Sequence, residues 1–585
     1  MAFDWMDDAH WRVQSPTQGA KWALSRRKVG DIWQLSLKNE GDSAATVDEV
    51  VVFAGAHGML KDTRAYGEGS QMLSQYEGTL EDLGCITELS DAGHYHLPTT
   101  AGMTTVYNML LCFTKPAATL YAFSSCNRFV GAIRVNGERL ELAQNLEGVV
   151  INPGETIALE SVYAAEGEPH KLLESLAEKL TVAHPKFDLA GAVPTGWCSW
   201  YCFGPGVTAK DIENNMDIMR DQLSELTYVQ IDDGYQAYMG DWLTPHPNFG
   251  DLDGLLHGIH DAGFEPAIWV APFIAEGKSK LFTDHPDWFI KDDLGAPLSS
   301  AAVSFGGWRN GPWYMLDGTH PGAQTYLEHV FRSFRNEYGI KYFKLDANFW
   351  GCMPHGSRYV ENATSVEAYR AGMEAVIRGA GHDSVILGCN APMWSSIGVV
   401  NCMRVSNDLS RNWAWSKIQT RECLWRNWQH NRLWVNDPDV VTLLNSKKRQ
   451  LGGNGEWIDV STSAMTENEL RYHRTAMFAT AGMVLVGDDM ARYGADEFKL
   501  IKKMAPPHPV AAQFADADMR VGLMPGDPIG FVCLFNDTDA ALAFDVPCSA
   551  ARAFDHWTDA PVAVADGVIS IELPAHDAML IRCEM

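Results

Sequence analysis

Acidic side chains recur through the middle of this 585-residue chain, two of them a few residues beyond a lysine or an arginine. Asp232-Asp233, Lys344 with Asp346, Arg404 with Asp408, Asn436-Asp437 and Asp488-Asp489 each follow a short apolar run. Carboxylates brought together repel one another, so a converging set calls for a substrate, a metal or a cation. Two of them placed about one sugar ring suffice to cleave a glycosidic bond. One attacks the anomeric carbon; the other protonates the leaving oxygen and then activates water.

Asp346 is the better candidate nucleophile. Lys344, two residues earlier, shares its strand face and favours the ionised carboxylate. Asp408 lies four residues beyond Arg404 in a loop-like stretch, where an acid/base can reach a leaving group. Blander readings exist for each group. A single strand-end Asp more often caps a helix or forms a turn. Asn436–Asp439 reads equally as a turn, Asp488-Asp489 as a cap, and Trp197 and Trp200 as core. The recurrence from one strand to the next favours a site. The same acidic cluster could instead hold a divalent ion in a sugar isomerase or lyase, although no histidine recurs with it. A carbohydrate-binding protein without catalysis is a third reading. Serine-elbow, P-loop and dinucleotide fingerprints are missing, and Cys389 has no neighbouring histidine to serve as its base.

The elements that must position these residues alternate. Strand-like runs fall at 195–200, 228–232, 266–270, 342–346, 384–389, 402–406, 433–436 and 483–487, with helix-like stretches at 209–222, 254–262, 322–338 and 366–379. Eight such units predict an α/β fold with a central (β/α)8 barrel at 186–505, whose site lies at the carboxyl ends of the strands. Two connections are irregular: the third is long and holds an extra strand-like piece at 313–317, and the fifth is very short. Residues 1–185 carry β-branched and aromatic runs (46–53, 105–113, 119–123) punctuated by turn signals, which predicts an N-terminal β-sandwich followed by a short helix at 170–180. Residues 506–585 predict a small C-terminal antiparallel β-domain, with strands at 530–535 and 568–573.

The chain's formal charge of −28 argues against nucleic acid and acidic membranes as partners and suits a neutral substrate. Twenty tryptophans raise the prospect of sugar stacking only modestly, since core packing uses the same residue. No apolar run reaches the roughly 18 residues of a membrane span, and no export signal is visible, so a cytoplasmic protein is expected. Its twelve cysteines are then reduced thiols.

The run Gly196-Trp197-Cys198-Ser199-Trp200-Tyr201, followed by QIDDGY, GDWL, AIWVAPF, YFKLDANF, ILGCNAP, MRVSND and WVNDPD, resembles glycoside hydrolase family 36, in particular its compact bacterial α-galactosidases of clan D. The resemblance implies a retaining double displacement on an α-galactoside, with neither metal nor cofactor and, by analogy, a homo-oligomer. It implies Asp346 as nucleophile and Asp408 as acid/base. Asp232 and Asp233 would bind the axial 4-hydroxyl and the 6-hydroxyl, Lys344 the 3- and 4-hydroxyls, and Arg404 the 2-hydroxyl. Trp200 and Trp269 would wall the subsite, and Cys389 would line it near carbon 2. Asn390, Ala391, Met393, Asn407 and the stretch 410–415 depart from the family pattern. α-N-acetylgalactosaminides and β-L-arabinopyranosides are therefore alternative substrates.

Overall fold

Eight short parallel strands ring the centre of the computed structural model, which describes residues 3–115, 117–444, 447–451, 457–461 and 465–584. They are β1 (Thr195–Cys198), β2 (Tyr228–Ile231), β3 (Glu265–Val270), β4 (Tyr342–Leu345), β5 (Val385–Gly388), β6 (Cys402–Arg404), β7 (Val435–Asp437) and β8 (Val484–Val486). Each pairs with the next in parallel from β1 to β7, and β8 pairs with β1. The ring closes through a break in the seventh strand. After β7 the chain turns at Pro438-Asp439, where Asp439 has a φ of 79°, and Val440–Val441 then pair with β8. The eight runs expected from the sequence are all present.

Side chains alternate along each strand, so residues two apart share a face. Cys198, Ala267, Tyr342, Leu387, Cys402, Val435 and Leu485 pack together inside the ring. Two positions further on along the same face stand Trp200, Trp269, Lys344, Cys389, Arg404 and Asp437. The apolar layer is thus a floor, and the polar residues sit above it at the carboxyl ends. Gly196 allows the ring to tighten: a Cβ there would lie 2.1 Å from the Tyr228 carbonyl oxygen.

Among the described residues, seven helices of ten residues or more surround the ring: α1 (Ala209–Gln222), α2 (Leu252–Asp261), α3 (Pro321–Tyr338), α4 (Ser365–Ala380), α5 (Trp413–Trp425), α6 (Glu467–Ala479) and α7 (Ala495–Met504). Capping boxes start three of them, Thr208 with Asp211, Thr364 with Glu367 and Thr466 with Glu469, each satisfying otherwise unpaired amides of the first turn. The irregular connections are real. Between β3 and β4, Ile274–Glu276 pairs antiparallel with Trp313–Met315, and the loop that follows the short helix Ser300–Val303 leans over the ring's mouth. Between β5 and β6 there is a single 3-10 turn, Trp394–Ser396, in place of an α-helix. The N-terminal sheet fills that gap. Met72 N donates to Ala391 O (2.9 Å), Met393 N to Ser70 O (3.0 Å), and Trp394 Nε1 to Phe123 O (2.8 Å).

The N-terminal strands form one hydrogen-bonded sheet of twelve. It folds over a core shared by strands from its opposite ends, Leu35 and Leu37 packing in the same cluster as Val47, Val50 and Phe53. The helix Pro169–Ala183 leads from it to the barrel. At the C-terminus a six-stranded antiparallel sheet and a separate antiparallel strand pair (Leu542–Pro547 with Val568–Leu573) enclose Val532, Leu534, Phe544 and Ile581. No helix among the described residues is long and apolar enough to cross a membrane.

Candidate active site

A cavity of about 630 Å³ opens at the carboxyl ends of the strands, and Trp200, Asp232, Asp233, Trp269, Lys344, Asp346, Cys389 and Asp408 line it. Of the nine site residues expected from sequence, only Arg404 is not at its wall. That side chain is buried just behind, its Nη2 donating to Asp408 Oδ1 at 2.8 Å.

Asp346 follows β4 directly. Its carboxylate accepts Ala347 N at 2.6 Å and Trp269 Nε1 at 3.2 Å, which fixes its orientation. Ala347 adopts a φ of 52°, so the chain turns left-handed directly after Asp346. Burial raises the Asp346 pKa; the Lys344 ammonium opposes that, and the nearby Asp408 charge reinforces it. The lysine acts on Asp346 through space, because its own bond is to Asp232, with Nζ to Oδ2 at 2.8 Å. Gln230 Nε2 donates to the same oxygen at 2.8 Å and takes the Tyr342 hydroxyl proton on its own carbonyl at 2.8 Å. The chain Tyr342–Gln230–Asp232–Lys344 joins the apolar floor to the site.

Asp408 contrasts with Asp346. Its side chain is 65% exposed, whereas Arg404 beside it is 1% exposed. Arg404 also pairs with buried Asp439 at 2.6 Å, and the Tyr201 hydroxyl donates to that same aspartate. Burial raises the Asp439 pKa to about 7 against the opposing pull of Arg404. Leu409 N donates to Asp439 Oδ2 at 2.7 Å, so the bend in the seventh strand anchors the chain just past Asp408.

The remaining strand-end acids have structural roles. Asp437 Oδ1 accepts Asp439 N (2.9 Å), a turn. Asp488 is fully buried against Arg411 (2.9 Å) and holds Leu443 N and the Tyr493 hydroxyl. Asp489 caps the 3-10 turn Met490–Arg492. Trp197 is core, and Trp200 is at the cavity. Among the described residues no group of three or more His, Cys, Asp or Glu side chains is arranged to hold a metal ion.

Sequence reasoning missed Arg309. It comes from the long β3–β4 connection and grips Asp233 with two nitrogens, Nε to Oδ2 at 2.9 Å and Nη2 to Oδ1, while Gln236 Nε2 reaches Oδ1 at 2.7 Å. The signal was a cation between two tryptophans in a glycine-rich loop (FGGWRNGPW), which carries no periodicity. Also missed were Met72, Leu73, Leu89 and His94, by which the N-terminal region forms part of the cavity wall. Asn407, next to the candidate acid/base, is tied to that region through Nδ2 to Leu73 O at 3.0 Å.

Residues 227–378 match the family model described as Melibiase. That segment holds Asp232, Asp233, Trp269, Arg309, Lys344 and Asp346; Trp200, Cys389, Arg404 and Asp408 lie outside it. A myogenesis-regulating glycosidase of Mus musculus is 26% identical over 159 residues, 27% of this chain and 22% of that protein. The chain thus spans about a fifth of that relative's length. Among solved structures, the α-galactosidase TtGalA of Thermus thermophilus, in complex with p-nitrophenyl α-D-galactopyranoside, superposes with a TM-score of 0.62 at 20% identity, covering 87% of this chain and 98% of its own. The GH36 α-galactosidase AgaA of Geobacillus stearothermophilus gives 0.62 at 11% identity over 98% of this chain and 87% of its own. These likenesses establish a shared fold, a barrel flanked by β-structure.

Proposed function

We propose that this protein is a retaining α-galactosidase of glycoside hydrolase family 36, working through a covalent glycosyl-aspartate. One observation carries the reading. Asp346 and Asp408 face a single cavity, one carboxylate buried and fixed by two donors, the other exposed on a loop beside Arg404. A nucleophile needs the first setting and a proton shuttle the second. Asp346 attacks the anomeric carbon as Asp408 protonates the departing oxygen. Asp408 then takes a proton from water, which displaces Asp346 and returns the sugar with its original configuration. Asp232, held by Lys344, and Asp233, held by Arg309, present paired acceptors to an axial hydroxyl, and an epimer lacking it would leave them without partners. The divisions at residues 185 and 505 belong to the same reading, with the N-terminal part completing the cavity.

The test is hydrolysis of nitrophenyl α-galactoside with the first-formed anomer followed by NMR. α-Galactose is expected; β-galactose first, or loss of activity in EDTA, overturns the mechanism. Asp346→Ala should be inactive and should regain turnover with azide, releasing the β-azide.

A second reading keeps the chemistry and changes the sugar. Asn390 lines the cavity beside Cys389, and its oxygen already accepts the Tyr95 hydroxyl at 2.6 Å, which leaves the amide nitrogen to donate. A 2-acetamido carbonyl would suit that donor, so the α-N-acetylgalactosaminide belongs in the same assay, as does the β-L-arabinopyranoside.

A further inference from the structure

We infer that the leaving-group side of this cavity is shaped for a flat, apolar aglycone, an aryl or arylalkyl group, in place of a second sugar. The inference rests on the galactosidase reading. The leaving group must lie beside Asp408, and the neighbours of Asp408 are known from direct contacts. Trp415 Nε1 donates to the Asp408 carbonyl at 2.6 Å, which sets the indole against the acid/base loop. Leu73 is held beside Asn407 by the 3.0 Å bond to its carbonyl, with Met72 before it. In the same cavity wall, Phe305 stacks on His94 with ring centroids 3.8 Å apart. Phe305 and Trp308 are each 38% exposed, and both line the cavity, so they offer an adjoining apolar surface to whatever enters it.

A second sugar would bring hydroxyls to this wall, and each must recover a hydrogen bond on leaving water. Besides Asn310 and the third Arg309 nitrogen, the polar atoms of this wall are largely engaged already. Asn407 Nδ2 is committed to Leu73 O and Glu422, and its Oδ1 is buried. Two of the three Arg309 nitrogens are committed to Asp233, and Trp415 Nε1 to the Asp408 carbonyl. His94 stacks face-on against Phe305, and burial pushes its pKa down to about 4, so at neutral pH it is uncharged and only its ring edge can hydrogen-bond. A planar apolar group fits the remaining faces, since aromatic rings gain most from offset or edge contacts with one another.

The experiment must hold leaving-group chemistry constant, so it compares three alkyl galactosides: methyl α-galactoside, benzyl α-galactoside and 6-O-α-galactosylglucose. The benzyl compound should show a KM at least about tenfold below the other two, the discrimination typical of an apolar pocket. Phe305→Ala and Leu73→Asp should each cost the benzyl compound at least about fivefold more in kcat/KM than they cost the methyl compound. Equal efficiency on the benzyl compound and the disaccharide, or variants that impair all three alike, would overturn the inference and leave the galactosidase intact. If none of the three is hydrolysed, the galactosidase reading falls and takes this one with it. Phe305→Ala removes an exposed side chain, so it keeps the comparison decisive should Leu73→Asp misfold.

Discussion

Arg426 and Glu68, 358 residues apart in the chain, form an ion pair with no solvent exposure on either side chain. Arg426 stands just past α5, and Glu68 ends an N-terminal strand (Arg64–Glu68). The guanidinium also donates to Met72 O (2.7 Å), Ser74 O (3.1 Å) and Val405 O (3.1 Å). One side chain thus holds the segment that carries Leu73 and the strand end that leads to Asp408.

Removing one partner of such a pair leaves a buried charge uncompensated, at a cost of roughly 3–5 kcal/mol. Arg426→Met should therefore lower stability by about that amount, as read by urea unfolding. Arg426→Met with Glu68→Leu should recover part of the loss. A single variant as stable as the parent would show that the pair does not join the two regions.

General acid assistance by a positioned side chain contributes about 10²–10⁴ in rate, and most where the leaving group is poor. Asp408→Ala should slow methyl α-galactoside by about that factor while sparing nitrophenyl galactoside far more. Equal losses on both substrates would remove Asp408 from the acid/base role.

Arg309 compensates Asp233, whose side chain is 2% exposed. Arg309→Ala should raise the KM for galactosides by about tenfold or more, corresponding to about 1.4 kcal/mol of binding. Arg309→Lys should recover only part, because a single ammonium cannot make both bonds. An unchanged KM in Arg309→Ala would separate the pair from substrate binding.

Glu422 lies under the acid/base loop and accepts Asn407 N at 2.8 Å. Burial raises its pKa from 4.5 to about 7, against hydrogen bonds from Asn407 and the charge of Arg426. A carboxyl with a raised folded pKa holds its proton more tightly when folded than when unfolded. Its stabilising contribution is therefore complete below about pH 4.5 and is lost as pH rises to about 7. Glu422→Gln cannot titrate. The difference in Tm between the parent and Glu422→Gln should shift in favour of the variant between pH 5 and pH 8, and a difference independent of pH would contradict the assignment.

Local patterns made the barrel legible. Its strands are short and largely apolar, three of its helices begin at threonine caps, and the alternation along β4 carries on to place Lys344 and Asp346, just past its end, on one face. The broken seventh strand was not legible, because a Pro-Asp turn looks the same whether it ends a strand or bends it. Nor was the role of Lys344. Sequence adjacency pointed to Asp346 as its partner, but the strand next but one supplies Asp232 at closer range. Arg309, Leu73 and His94 reach the cavity from loops, where only long-range packing decides direction.

The gap between β5 and β6, where the N-terminal sheet stands in for a helix, bears on how the molecule can be divided. A fragment confined to residues 186–505 would lay Trp394, fully buried in the whole chain, open to water, along with Met393 and Ala391. It would also lose the backbone partners of that turn and the Met72–Leu73 edge of the cavity. Barrel and sheet are therefore one unit of inheritance: neither can be exchanged for a relative's counterpart unless the matching seam travels with it.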